Sequence, residues 1–367
     1  MWTIWKEELY KITSRKIIWL SLFLLLAFAT TRLYDERCHY TTTIEGTVYH
    51  GKEAIQKDQA LASRYLGLLT EETVAQIYKD YGFFYYDAKG NAIGNYLNRF
   101  VTEEFTNFRQ TDGNNLDEIH FYEGSDWENN SAYLLRNNVR FDYVYGWNDF
   151  AEMYILIILA LFVILILGLS PVFAEEYQLK TADLLRTTRR GRGSGIWMKL
   201  LAAACFAVAL TCAASAYMWG IYLTVYGVQG LNASSLLLNF ATGFGYCPES
   251  VLGFFLYITC LGIIGSLLLT GIVTGISALC QSSFLALLFA LSGYLFPVLW
   301  VKLLGYMFPL NIVLTRSINH FMTSMPVYLP MSTGFGFSVN QMLLHLSIAF
   351  VVGVAGMFVG YFRYRYH

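Results

Sequence analysis

The stretch Glu175–Lys199, EEYQLKTADLLRTTRRGRGSGIWMK, decides how this chain is organised. It is a short, charged, helix-compatible insert between two long apolar segments. Six of its residues are Lys or Arg (Lys180, Arg186, Arg189, Arg190, Arg192, Lys199), against three acids (Glu175, Glu176, Asp183). A basic loop of this length between membrane spans is held on the cytoplasmic side. The insert therefore sets the expected topology, and it is the natural place for a soluble partner to grip the membrane part.

The composition points the same way. Of 367 residues, 56% are hydrophobic and 14% charged, whereas a soluble globular protein carries about 25% charged residues. The expected fold is an all-α polytopic membrane protein. Charge is unevenly spread: residues 33–150 hold 10 Lys/Arg and 19 Asp/Glu, and the remainder holds 15 and 7. One acidic polar block thus sits within a basic, apolar frame.

Working outward from the insert gives six spans. Residues 1–16 place Trp2, Trp5, Leu9 and Ile12 at helical spacing among lysines, which suits an amphipathic helix lying in the interface. Residues 17–32 form the first span, short against the roughly 20 residues a crossing needs. A signal peptide is the rival reading there, because Ala27-Phe28-Ala29 resembles a cleavage site. Residues 33–149 read as a mainly helical extracellular domain. In it Thr70 can cap a helix with Glu71 and Glu72 in its first turn, Thr41–His50 alternates as a strand does, and Phe83, Phe84, Tyr85, Tyr86, Phe121, Tyr122 and Trp127 supply a core.

The second span is expected at 150–174, with Pro171 kinking or ending it. The insert fills 175–195, the third span 196–226, an outer loop 227–250, the fourth span 251–279 and the fifth 284–304. Only Cys280–Ser283 separates the last two, which makes a tight hairpin. Residues 305–340 are apolar but broken by proline and glycine, as in a segment dipping into the outer leaflet. The sixth span is 341–362, followed by a basic tail at 363–367. Both termini then lie inside, and the basic clusters at the N-terminus, the insert and the C-terminus agree with that. The expected location is a bacterial plasma membrane.

Gly271 and Gly275, and Gly356 and Gly360, place small residues on one helix face, which permits close helix packing. Cys38 and Cys247 both fall outside in this topology, so a disulfide between them is an expectation. No His pair at i, i+4 spacing and no Gly-Lys-Ser/Thr loop occurs, so neither HExxH metal chemistry nor ATP binding by this chain is readable. The basic insert, at a membrane surface, suits anionic lipid or a protein partner better than nucleic acid.

These residues resemble the ABC-2 type transporter permeases, the membrane subunits of ATP-driven exporters. That family shows a second span ending in an acidic pair, a short Gly-Thr-Leu-Glu-Leu-Leu helix, a Thr-Pro turn, basic residues and a lysine opening the third span. Here Glu175 and Glu176 match the acids, and Thr181, Asp183, Leu184 and Leu185 match the helix. Thr188 matches the turn threonine, Arg192 a basic position and Lys199 the lysine. Lys180 departs from the usual glycine and Arg189 from the usual proline. The amphipathic N-terminus, the tight hairpin and the broken apolar loop share the family layout, and the large domain after the first span resembles permeases of Gram-positive bacteria.

The resemblance implies a coupling helix at the insert, docking into a separate ATP-binding subunit. Leu184 and Leu185 would bury against that partner, and Arg186, Arg189 and Arg190 would steer it. The chain itself would hold no cofactor and perform no catalysis, because ATP and magnesium would sit on the partner. A second permease copy, identical or not, would complete the pathway. The aromatic and aliphatic spans suit an amphipathic or hydrophobic cargo: a peptide, a lipid-like molecule or a drug. The alternative is a membrane sensor or scaffold whose outer domain detects a peptide and signals through the insert. A membrane-embedded enzyme lacks a nucleophile, a metal set and a carboxylate pair.

Overall fold

The computed structural model describes residues 1–111, 113–124, 132–188, 191, 193–238, 248–299 and 339–366. The protein is mostly helical. In chain order the helices are α1 (Trp2–Thr13), α2 (Lys16–His39), α3 (Gly51–Ala62), α4 (Glu71–Tyr81), α5 (Tyr96–Phe105), α6 (Ala132–Arg136), α7 (Tyr145–Leu169), α8 (Pro171–Gln178), α9 (Ala182–Thr187), α10 (Ser194–Tyr226), α11 (Val251–Leu279), α12 (Ser283–Leu299) and α13 (Val339–Tyr366). Three short antiparallel pairs join β1 (Thr41–Ile44) to β2 (Thr47–His50), β3 (Gly67–Leu68) to β6 (Arg140–Phe141), and β4 (Tyr85–Tyr86) to β5 (Ala92–Ile93).

Among the described residues, five helical segments are long and apolar enough to cross a membrane: Lys16–His39, Tyr145–Gln178, Ser194–Tyr226, Val251–Leu279 and Ser347–Tyr366. By that criterion the chain is a multi-pass membrane protein. Of the six expected spans, the fifth is the exception, because its described apolar helix, Ser283–Phe296, is shorter. Residues 300–304 of that expected span lie outside the described residues, as does most of the broken segment 305–340.

The first apolar helix runs on to His39 rather than ending at residue 32. Its last turns are polar, yet Arg32 pairs with Glu36 at 2.9 Å and Asp35 with His39 at 3.1 Å. Such i, i+4 pairs support a helix whose apolar run has already stopped. The added length relieves the shortfall that the apolar run alone leaves.

Pro171 separates α7 from α8, and Ser277 of α11 repairs the break. Its hydroxyl donates to the Ser170 carbonyl at 2.6 Å and accepts from the N–H groups of Phe173 and Ala174 at 3.0 and 3.1 Å. Backbone groups freed by proline in an apolar bundle need such partners. Between α7, α10 and α11 the core is aromatic: the Phe150 ring lies 4.6 Å from Phe255 and 5.3 Å from Trp219. Tyr154 and Ser215 share a buried hydrogen bond of 2.8 Å.

Gly271 and Gly275 lie where α11 meets α13. A methyl group at Gly271 would overlap the Gly353 carbonyl, and one at Gly275 would sit 2.7 Å from the Gly356 oxygen. Gly360 is looser, with its nearest neighbour, the Thr274 oxygen, at 3.5 Å. The close approach thus runs through Gly353 and Gly356 rather than Gly356 and Gly360.

The polar domain between α2 and α7 is built on local caps. The Thr70 hydroxyl accepts from the Thr73 N–H at 3.2 Å, and Asn95 and Asn98 form a reciprocal capping box. Phe84, Phe108 and Ile119 form a small buried cluster edged by Phe83, Tyr85 and Tyr86. Phe121 packs beside Phe83 at 5.3 Å, and Trp127 lies outside the described residues. The domain is tied to the bundle: Gln59 Nε2 donates to the Tyr226 carbonyl at 2.7 Å.

Candidate functional site

The insert and its surroundings gather at the bundle end opposite the polar domain. Of the two acids, Glu176 points inward and Glu175 is half exposed. Glu176 is 7% exposed, and Lys199 on α10, which pairs with its Oε1, is 4% exposed. Tyr364 of α13 donates to Glu176 Oε2 at 2.5 Å, and Lys11 of α1 reaches Oε1 at 3.5 Å. One carboxylate therefore joins α1, α8, α10 and α13. Burying a charge is costly unless it is paired and hydrogen-bonded, and Glu176 has both kinds of partner. The Lys199 ammonium also lies over Phe173 and Tyr364, 5.6 and 5.0 Å from the ring centroids.

Glu175 is held from the other side. Arg15 Nη2 meets Glu175 Oε2 at 2.5 Å, while Nη1 donates to the Gly168 carbonyl at 2.8 Å. Lys11 on α1 and Arg15, in the turn between α1 and α2, thus clamp the start of the chain onto the acid pair. Burial alone would lower the Lys11 ammonium, but Glu8 and Glu176 outweigh it and hold the group above its ordinary value.

The turn that follows puts Lys180 at a position that favours glycine. The Thr181 N–H bonds the Glu176 carbonyl at 2.9 Å and the Lys180 N–H bonds the Tyr177 carbonyl at 3.1 Å. This pair of bonds closes a helix only when the residue after its cap is left-handed, a position usually held by glycine. Lys180 holds it at φ 55°.

Beyond the turn, α9 is six residues long. Leu184 is 71% exposed, Leu185 half-buried, and Asp183, Thr187 and Thr188 exposed. Arg186 is buried rather than outward: Nη2 donates to Tyr177 Oη at 2.9 Å, and its guanidinium lies 4.9 Å from the Tyr364 ring centroid. It fastens α9 to α8 and α13, so it is not placed to steer a partner from solution. Thr181 precedes the helix without a capping bond from its side chain. Arg189, Arg190 and Arg192 lie outside the described residues.

Of the interfacial-helix residues, Ile12 is buried, Trp5 and Leu9 are half-buried, and Trp2 is 65% exposed and stacked on Trp5 at 4.6 Å. Cys38 is exposed on α2, and its expected partner Cys247 lies outside the described residues. Among the described residues, no group of three or more His, Cys, Asp or Glu is placed to hold a metal ion.

Lys11, Arg15, Tyr177 and Tyr364 were not singled out by the sequence. Lys11 and Arg15 at i, i+4 on an amphipathic helix carry a weak signal, but a tyrosine near the end of the chain carries none. No protein-family model matches the chain, and neither a curated protein nor a solved structure does.

Proposed function

We propose that the chain is the membrane subunit of an ABC exporter, with α9 as the coupling helix that a separate ATP-binding subunit engages. In this reading the insert faces the bacterial cytoplasm with both termini, the polar domain lies outside, and six helices from each of two permease copies form the pathway. One observation carries the reading: α9 exposes Leu184 at its tip while its base is locked onto α8, α10 and α13 by Glu176, Lys199, Tyr364 and Arg186. An exposed apolar tip on a rigid base transmits force, because ion pairs buried in protein do not slip as a solvated loop does. The apolar surface of α2, α12 and α13 suits lipid contact and an amphipathic cargo.

The test is retention of a nucleotide-hydrolysing subunit. The chain is expressed in its own host, extracted in mild detergent and purified. The wild type is expected to bring down a soluble ATPase, and the double variant Leu184→Asp, Leu185→Asp to lose it while still inserting into the membrane. Equal retention by wild type and variant, or maleimide labelling of Lys180→Cys only from the outer medium, overturns the reading.

A further inference from the structure

A cavity of about 120 Å³ lies where the polar domain meets the ends of α2 and α7. A water needs only about 15 Å³ of such space, so the cavity has room for a small molecule. Its walls come from separate parts of the chain: Glu36 from the end of α2, Asp58, Phe84 and Arg99 from the domain, and Tyr145 from the first turn of α7.

The two charges that face this space are not paired with each other. Glu36 pairs with Arg32 at 2.9 Å, and Arg99 donates through Nε to Glu103 at 2.7 Å. Among the described residues, the two terminal nitrogens of Arg99 have no hydrogen-bond partner. The guanidinium lies over the rings of Phe84 and Tyr145, 5.4 and 5.9 Å from their centroids. Stacking of this kind fixes its plane and leaves its edge free for a planar anion. Across the cavity, the Tyr145 hydroxyl donates to Glu36 Oε1 at 2.8 Å and sets that carboxylate's orientation. Asp58 is already occupied, by Tyr40 at 2.6 Å, Thr42 at 2.9 Å and the Tyr96 N–H at 3.2 Å, and serves as wall.

We propose that this cavity binds a small zwitterion, its anionic group on Arg99 and its ammonium on Glu36. Each charge already has one partner, Arg32 for Glu36 and Glu103 for Arg99, so the site is balanced: a zwitterion keeps that balance, whereas a lone anion would meet Glu36 and a lone cation would meet Arg99. The chemistry is that of an α-amino acid with a short side chain, and a phosphoethanolamine headgroup shares it. Because Glu36 belongs to α2 and Arg99 to the polar domain, one ligand bound to both would clamp the domain onto the first apolar helix.

The test is calorimetric titration of the full detergent-solubilised chain. Glycine, alanine and serine form one arm, glycerophosphoethanolamine the second, and acetate and methylammonium the single-charge controls. Saturable binding of a zwitterion, at least about tenfold tighter than either control, is the expected result, and the arm that binds identifies the source. Arg99→Gln is expected to weaken binding by about thirtyfold or more, the usual scale for losing one partner of a hydrogen-bonded charge pair. Arg99→Lys keeps the charge without the bidentate edge and is expected to fall between, with the ligand-free melting temperature unchanged. Failure of every zwitterion to saturate the wild type, or equal binding of acetate alone, overturns the proposal.

Discussion

Glu176 on α8 and Lys199 on α10 form an ion pair shielded from solvent, and the Tyr364 hydroxyl donates to the second oxygen of the same carboxylate. The pair sits where the chain leaves its second long apolar segment and enters its third, with the charged insert strung between. Its effect is mechanical: the insert cannot move without moving α8, α10 and α13.

Breaking that pair is predicted to be expensive. Removing one partner of a buried pair leaves an uncompensated charge and costs about 3–5 kcal/mol, whereas replacing both by apolar groups is often neutral. Lys199→Met is therefore expected to lower the melting temperature of the detergent-solubilised protein strongly. Lys199→Met with Glu176→Leu is expected to recover most of the loss. Lys11 is half exposed on its side chain, so Lys11→Ala is expected to cost no more than about 1 kcal/mol, as exposed pairs do. A double variant as unstable as the single would count against the pair.

Lys180 is predicted to be strained. A non-glycine residue in the left-handed region costs about 1–2 kcal/mol, and Lys180 sits there at φ 55°. Lys180→Gly is expected to slow hydrogen exchange of the Leu179, Lys180 and Thr181 amides, and Lys180→Val to speed it. Both follow from backbone conformation alone. Identical exchange in the two variants would show that the turn does not hold this residue left-handed.

The glycines of α11 and α13 are predicted to differ in tolerance. Gly271→Leu places a side chain against the Gly353 backbone, which cannot give way, and is expected to separate the helices. Gly360→Ala meets its nearest atom at 3.5 Å, an ordinary contact, and is expected to be close to neutral. Melting temperatures of the two variants check this, and equal loss in both would refute the packing.

Asp58 is predicted to make the polar domain more stable in acid. Burial pushes its carboxyl up to about 6, against the opposing donors Tyr40, Thr42 and the Tyr96 N–H. The folded group thus holds its proton more tightly than the unfolded one. Its contribution is fully present below the unfolded value of 3.8 and is lost as pH rises through about 6. At about 1.4 kcal/mol per pKa unit, the window is worth on the order of 3 kcal/mol. Asp58→Asn is expected to flatten the dependence of domain stability on pH between 4 and 7, measured by hydrogen exchange of α3 and α5 amides. An unchanged slope would refute it.

Much of the bundle was legible in the residues. The apolar run at Val251–Leu279 begins at a helix boundary because Ser250 caps its start, and it stays one helix because no charged residue interrupts it. Thr70 was readable as a cap because capping is a local bond. The end of α2 was not readable from hydropathy, since its last turns are polar and held by side-chain pairs at i, i+4 spacing. Arg186 was expected to face outward with its neighbours, and whether it does depends on two tyrosines, one of them at the far end of the chain.

The sequence by itself determined that this chain fills a membrane with apolar helices, where a charged insert interrupts them and which small residues permit close packing, because hydropathy and spacing are properties of neighbours along the chain. Only the tertiary structure decided that Glu176 turns inward to Lys199, Lys11 and Tyr364, that Gly353 rather than Gly360 takes the closest contact, and that Glu36 and Arg99 face one cavity. Those relationships join residues far apart in sequence, and the cost of an unpaired charge or an overlapping side chain arises only when helices meet.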